Sequence, residues 1–129
     1  MAHKASEDPR LEAITQIALS LPETTREVIN HHGIFRVRKK AFAYFLFNHH
    51  GDGIVGLSCK ALRGDNTILV AAHPERFYLP AYTARQGWVA LRLDVGEIDW
   101  DEVRELVHGS YVLVAPKGLA RLVDSTSAE

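Results

Sequence analysis

The chain predicts an α+β fold: a single-domain antiparallel sheet packed against N- and C-terminal helices, one sheet layer and one helical layer. Three observations predict it. An apolar stripe at helical spacing runs through the first twenty residues. Residues Gly33 to Lys60 then alternate at the two-residue period of strands, and a well-signalled helix starts at Asp99. With 129 residues the chain is expected to form one domain over 1–129, its ordered core about 8–123 and its termini flexible.

Asp8 and Pro9 open the first helix, Asp8 as cap and Pro9 at the first helical position. Leu11, Ile14, Ile17, Ala18 and Leu21 supply its buried stripe, and Leu21-Pro22 stops it. Glu23 to Arg26 reads as a polar connection, and Glu27 to Asn30 as a short edge strand leading to His31-His32-Gly33. Three strands follow: Ile34–Arg38, Ala41–Phe47 and Ile54–Lys60. The second is apolar on both faces, which places it centrally in the sheet. Arg38-Lys39-Lys40 forms a tight basic hairpin tip, and Asn48 to Gly53 a turn with two glycines. Ala61 to Asn66 reads as a loop, while Thr67 to Ala72 fits helix or strand equally. Phe77, Leu79, Pro80 and Tyr82 make an extended connection, and Trp88 to Leu93 a strand. Asp99 and Glu102 have the spacing of a capping box, with Ile98 and Val103 as a hydrophobic staple. Trp100, Val103, Leu106 and Val107 give that helix its buried face. Gly109 is expected to end it, Ser110 to cap a short helix from Tyr111 to Ala115, and Pro116 to interrupt before a last turn through Leu119, Leu122 and Val123.

Bulk properties exclude several classes. Apolar content of 47% and charged content of 24% are those of an ordinary globular domain. A formal net charge of −1 produces no global attraction to nucleic acid or membrane, so any such attraction must be local. One cysteine, Cys59, excludes an internal disulfide and suits a reducing cytoplasm. No stretch has the length of a membrane span, and Met1 to Asp8 lacks the apolar segment of a signal peptide, so a cytoplasmic location is expected.

Several residue groups resemble the MmcQ/YjbR family. They are Leu21-Pro22 with Glu27, then Phe35, Val37, Lys40, Phe42 and Ala43, then Leu57 with Lys60. Gly87-Trp88-Val89, Ser110-Tyr111 and Ala115-Pro116-Lys117 continue the series, which covers roughly residues 10 to 123. The resemblance implies a CyaY-like fold, topologically similar to frataxin, and a double-wing role in DNA binding, with no catalytic activity to carry over. The chain departs from the family at its hairpin tip, where Arg38-Lys39 replaces the glycine common there and makes the tip more basic.

Candidate sites follow from residue type. Arg36, Arg38, Lys39 and Lys40 cluster where no acidic residue occurs from Val28 to Gly51, so they are expected to contact the phosphates of double-stranded DNA. Lys60 and Lys117 join them as family-matched positions, Arg63 and Arg85 as outlying contacts, and His49-His50 as a second wing. A solvated strand edge explains the same charges. His49, His50 and Asp52, with His31 and His32 nearby, are metal-ligand types, but their spacing matches no closed site and a polar turn explains them. Glu97, Asp99, Asp101, Glu102 and Glu105 raise an iron-binding acidic ridge by fold analogy, against their simpler role at a helix N-terminus. Glu7, Asp8 and Glu12 are all the first helix adds. Cys59 is expected inward, between surface-facing Ser58 and Lys60, as an inert thiol. No nucleophile–base pair is recognisable, so neither catalysis, metal nor cofactor is expected. Phe77, Tyr82 and Trp88 are the alternative: a recess for a small molecule or protein partner, against the ordinary reading of aromatics as core.

Overall fold

In the computed structural model the described residues are 8–48 and 51–127, with side chains as far as Val123. The expectations placed on Met1 to Glu7, on His49 and His50, and on the last two residues lie outside them.

The elements in order are α1 (Pro9–Leu19), β1 (Thr24–Ile29), β2 (His32–Val37), β3 (Lys40–Phe47), β4 (Val55–Lys60), α2 (Asp65–Ala72), β5 (Phe77–Tyr78), a 3-10 turn (Ala84–Gln86), β6 (Trp88–Arg92), α3 (Trp100–Val114) and α4 (Lys117–Ser127). The strands form one antiparallel sheet in the order β1-β2-β3-β4-β6-β5, with β3 internal as its two apolar faces demand. Helices α1 and α3 cover one face: Leu11, Ile14, Val103, Val107 and Tyr111 pack on Phe35, Val37, Phe45, Leu57, Cys59, Val89 and Leu91.

Local chemistry explains the boundaries. Asp8 accepts from the Arg10 N–H at 2.8 Å and caps α1, with Pro9 as first helical residue. The polar run Thr24 to Arg26, expected as a connection, is strand instead. As the outermost strand β1 tolerates polar residues, and its register against β2 extends from Thr24↔Val37 to Ile29↔His32. Two two-residue turns flank β2. Asn30 and His31 carry φ of 51° and 72°, Arg38 and Lys39 φ of 50° and 86°, the paired positive values that a type I′ turn requires. The second turn holds this conformation with no glycine, and Arg38 is fixed there by its ion pair with Glu23. The ambiguous Thr67 to Ala72 is helix, because Asn66 anchors α2 at its start: its amide donates to the Ala84 and Trp88 carbonyls at 2.9 and 3.1 Å.

The largest departure from expectation lies at Gly109 and Ser110, where α3 runs on unbroken to Val114. Glycine inside a helix costs about 1 kcal/mol. Burial of Val107, Ser110 and Tyr111 on the same face outweighs that, and the helix stops only at Ala115, held extended before Pro116. Ser110 therefore caps nothing. The β2–β3 register shifts so that Phe35 pairs with Ala43 and Arg36 with Ala41, leaving Phe42 as the extra residue of a bulge. Phe42 turns into the core, its ring edge-on to Tyr111. Ser110 inserts beside it: the hydroxyl accepts from the Lys60 N–H at 2.9 Å and donates to the Phe42 carbonyl at 2.6 Å. One helix side chain thus bridges β3 and β4 beside the bulge.

Candidate functional site

Antiparallel pairing decides which residues share an end of the sheet. Val37 pairs with Lys40, Thr24 with Val37, Ala43 with Cys59 and Lys60 with Trp88. The β2–β3 tip, the start of β1, the end of β4 and the start of β6 therefore lie together. α3 brings its C-terminal half to this end, since Ser110 bonds Lys60 and the Tyr111 hydroxyl donates to the Pro22 carbonyl at 2.8 Å. Arg38, Lys39 and Lys40 stand at the tip, Lys60 and Arg63 at and beyond β4, Arg85 just before β6, and Lys117 at the start of α4. All except Lys60, which is half-buried, are exposed.

The hairpin cations are not equivalent. Arg38 makes a bidentate pair with Glu23, at 2.7 and 3.1 Å, and this hydrogen bonding holds the Glu23 carboxyl below its ordinary range. Arg36 projects from mid-strand and meets Glu27 of β1 at 2.6 Å. The neutralising carboxylates thus come from Glu23, just before β1, and Glu27 within it, not from the Glu97–Glu105 segment. Lys39, Lys40 and Lys117 form no ion pair among the described residues. Lys60 lines a groove of about 560 Å³ with Asp65, Arg104, Glu105 and His108. The two hairpin turns do not cooperate at this end. The β3–β4 turn lies at the far end of the eight-residue β3, roughly 26 Å away. His49 and His50 lie outside the described residues.

Most of the remaining candidates have structural partners. Among the described residues no group of three His, Cys, Asp or Glu side chains is placed to hold a metal. His32 bonds the Phe47 carbonyl at 2.9 Å. Asp99 caps α3 by accepting from the Asp101 and Glu102 N–H groups, Glu102 meets Arg76 at 3.0 Å, and Asp101 meets Arg104 at 3.0 Å. Cys59 is buried in the core, which pushes its thiol well above the ordinary range and leaves it inert.

The aromatic candidates separate. Phe77 faces the helix-covered core and cannot line a recess on the other face. Trp88 is almost wholly buried, its ring 5.4 Å from that of Tyr44. Tyr82, 82% exposed, does border a recess, of about 410 Å³, on the face of the sheet opposite α1 and α3. Sequence reasoning missed its principal members: Tyr44, Ser58, Tyr78 and Asp52. The signal was available for Tyr78, since strand alternation must place it opposite to Phe77. Ser58 was expected at the surface. It does point away from the core, yet it is 2% exposed, because Tyr78 and the Leu79–Thr83 loop cover that face.

The positions that carry the family resemblance do mainly structural work. Gly87 has φ of 96°, and a Cβ there would stand 2.6 Å from the Ala61 carbonyl oxygen. Ala61 in turn donates its N–H to the Gly87 carbonyl at 2.9 Å. Ser110 bridges Lys60 and Phe42, and Tyr111 holds Pro22.

No helix among the described residues is long and apolar enough to cross a membrane. No curated protein matches the chain. Among solved structures, the Deinococcus radiodurans protein DR2400, which carries the domain DUF419, is similar in fold: TM-score 0.68, 21% identity, covering 88% of this chain and 87% of that one. The YjbR family model matches residues 19–113, the stretch from the end of α1 through β6 and most of α3. The chain belongs to the YjbR family.

Proposed function

We propose that this protein is a small DNA-binding domain of the cytoplasm that holds the phosphate backbone with the basic end of its sheet. One observation carries the reading: four strand termini and the end of α3 bring Lys39, Lys40, Lys60, Arg63, Arg85 and Lys117 to one end of a molecule whose net charge is −1. Lys39 and Lys40 are the principal contacts, on an exposed ribbon tip whose shape suits a groove or a phosphate row. Arg38 contributes as an already paired cation that stiffens the tip. Arg36, engaged by Glu27 on the open face, contributes little. The reading uses a single wing, because the second turn is at the other end of β3. The lone buried Cys59 fits a reducing compartment.

Fluorescence anisotropy with a labelled duplex at low salt tests it. The expected affinity is roughly micromolar, falling with salt at a log–log slope of about −3 to −4 for about four phosphate contacts. Replacing Lys39 and Lys40 together by alanine should lower both affinity and slope, while Arg92→Ala at the opposite end should leave them unchanged. Absence of binding at 50 mM salt, or equal binding by the Lys39/Lys40 variant, overturns the proposal.

A further inference from the structure

The open face of the sheet carries a site that the basic end does not explain. Register places Tyr44 opposite Ser58, Ser58 opposite Ala90 and Ala90 opposite Tyr78, so these four residues form one row across β3, β4, β6 and β5. The two small residues are in the middle and the two tyrosines at the ends. Tyr78 reaches across β6 until its hydroxyl lies over Gly56 of β4, so it covers one side of the row and leaves a recess between itself and Tyr44. Pro80 and Tyr82 line it as well, and the recess measures about 410 Å³. That volume is within the range of small-molecule sites.

Ser58 makes the trough more than a packing defect. Its hydroxyl is buried in the recess floor and has no hydrogen-bond partner among the described residues. Such a group is expensive to bury without a partner, and native structures rarely leave one so. Among the described residues the one carboxylate lining the recess is Asp52, whose Oδ1 is already used by the Ile54 N–H at 2.9 Å. Asp52 disfavours an anionic ligand and leaves its second oxygen to accept from one.

We infer that this recess binds an uncharged planar nitrogen heterocycle of nucleobase size. Its face packs against Tyr44 and Tyr78, with its polar edge toward the Ser58 hydroxyl. Aromatic walls favour a flat ring through offset or edge-on contact. A hydroxyl that both donates and accepts suits the mixed edge of such a heterocycle. The site is independent of the DNA-binding reading, since it lies on the open face and not at the cationic end.

Titration of the full chain with adenosine, cytidine and their 5′-monophosphates, followed by amide chemical shifts, tests the inference. Nucleoside binding near 0.1 mM is expected, about what a ligand of this size attains. The shifts should centre on Ser58, Tyr78 and Tyr82. Ser58→Ala should weaken binding about five- to tenfold with the rest of the spectrum unchanged. Tyr82→Ala, at an exposed position, should also weaken it. The monophosphates should bind several-fold more weakly than the nucleosides. No shifts at 5 mM nucleoside, which would leave water alone as the partner of Ser58, overturns the inference. So does equal binding by Ser58→Ala, or tighter monophosphate binding with shifts at Lys39 and Lys40.

Discussion

Ser110 of α3 and Ser58 of β4 are both buried serines, one on each face of the sheet. On the helix-covered face, Ser110 has its hydrogen-bonding capacity used, accepting from one strand and donating to the next. On the open face, Ser58 is equally enclosed and makes no bond among the described residues. Burial alone therefore does not identify a structural residue. The first serine completes a scaffold, holding α3 to the sheet where a bulge interrupts its regularity. The second lines a cavity with tyrosine walls, where the missing partner is the ligand's to supply. The helical face is a finished core and the open face an unfinished one, and sites for small molecules are found where packing stops.

The contrast can be broken by substitutions that ignore it. The largest effect is expected at Gly87 on the scaffold side. Gly87→Ala forces a Cβ against the Ala61 carbonyl and demands positive φ from alanine, so it should cost about 3–4 kcal/mol in urea unfolding. Ser110→Ala should come next, at about 2–3 kcal/mol, because it strands the Lys60 N–H and the Phe42 carbonyl. If Ser110→Ala were neutral, the claim that this hydroxyl bridges the bulge would fail.

Alkaline titration sharpens the comparison at an intermediate magnitude. Burial, with help from Asp52, pushes the Tyr78 hydroxyl up to about 12, against an ordinary value of 10.0. A raised folded-state value favours the neutral phenol, so this stabilisation is complete below pH 10 and is lost as pH climbs toward 12. Allowing for the residue's partial exposure, the loss should be about 1 kcal/mol. Tyr78→Phe should abolish that part of the alkaline destabilisation while Tyr111, raised by its own burial, retains its share. The smallest effect is expected at Ser58. Ser58→Ala removes a hydroxyl with nothing to lose and should change stability by less than about 0.5 kcal/mol, or raise it slightly. A cost near that of Ser110→Ala would show that the two serines are alike after all.

Much of the fold was legible before any coordinates. Asp8-Pro9, the Asp99 cap, the two-sided apolarity of β3 and the alternation in β4 each state a local physical preference, and each element forms where its residues require; the reciprocal half of the expected capping box does not form, because Glu102 pairs with Arg76 instead. Misreadings occurred where a local rule met a stronger tertiary one. Gly109 is a poor helix residue, but it lies on the exposed side of α3, whose opposite side is buried before and after it at Val107, Ser110 and Tyr111. Thr24 to Arg26 is too polar for a central strand and acceptable in an edge one. Among the site residues, clustering of Arg36 and Arg38 was visible in one dimension, while Glu23 and Glu27 reach them only through the β1–β2 register.

The sequence by itself determined the two-layer α+β architecture, the first helix, the strands β2, β3, β4 and β6, the start of α3, and the basic character of the β2–β3 tip. These depend on periodicity, capping and turn chemistry, which act over a few residues. The tertiary structure decided which cations remain unpaired, that the two hairpin turns lie at opposite ends of β3, and that Tyr44, Ser58, Ala90 and Tyr78 align into one trough. Those are matters of strand order and register, which bring together residues up to 46 positions apart by the numbering, and no local preference encodes such distances.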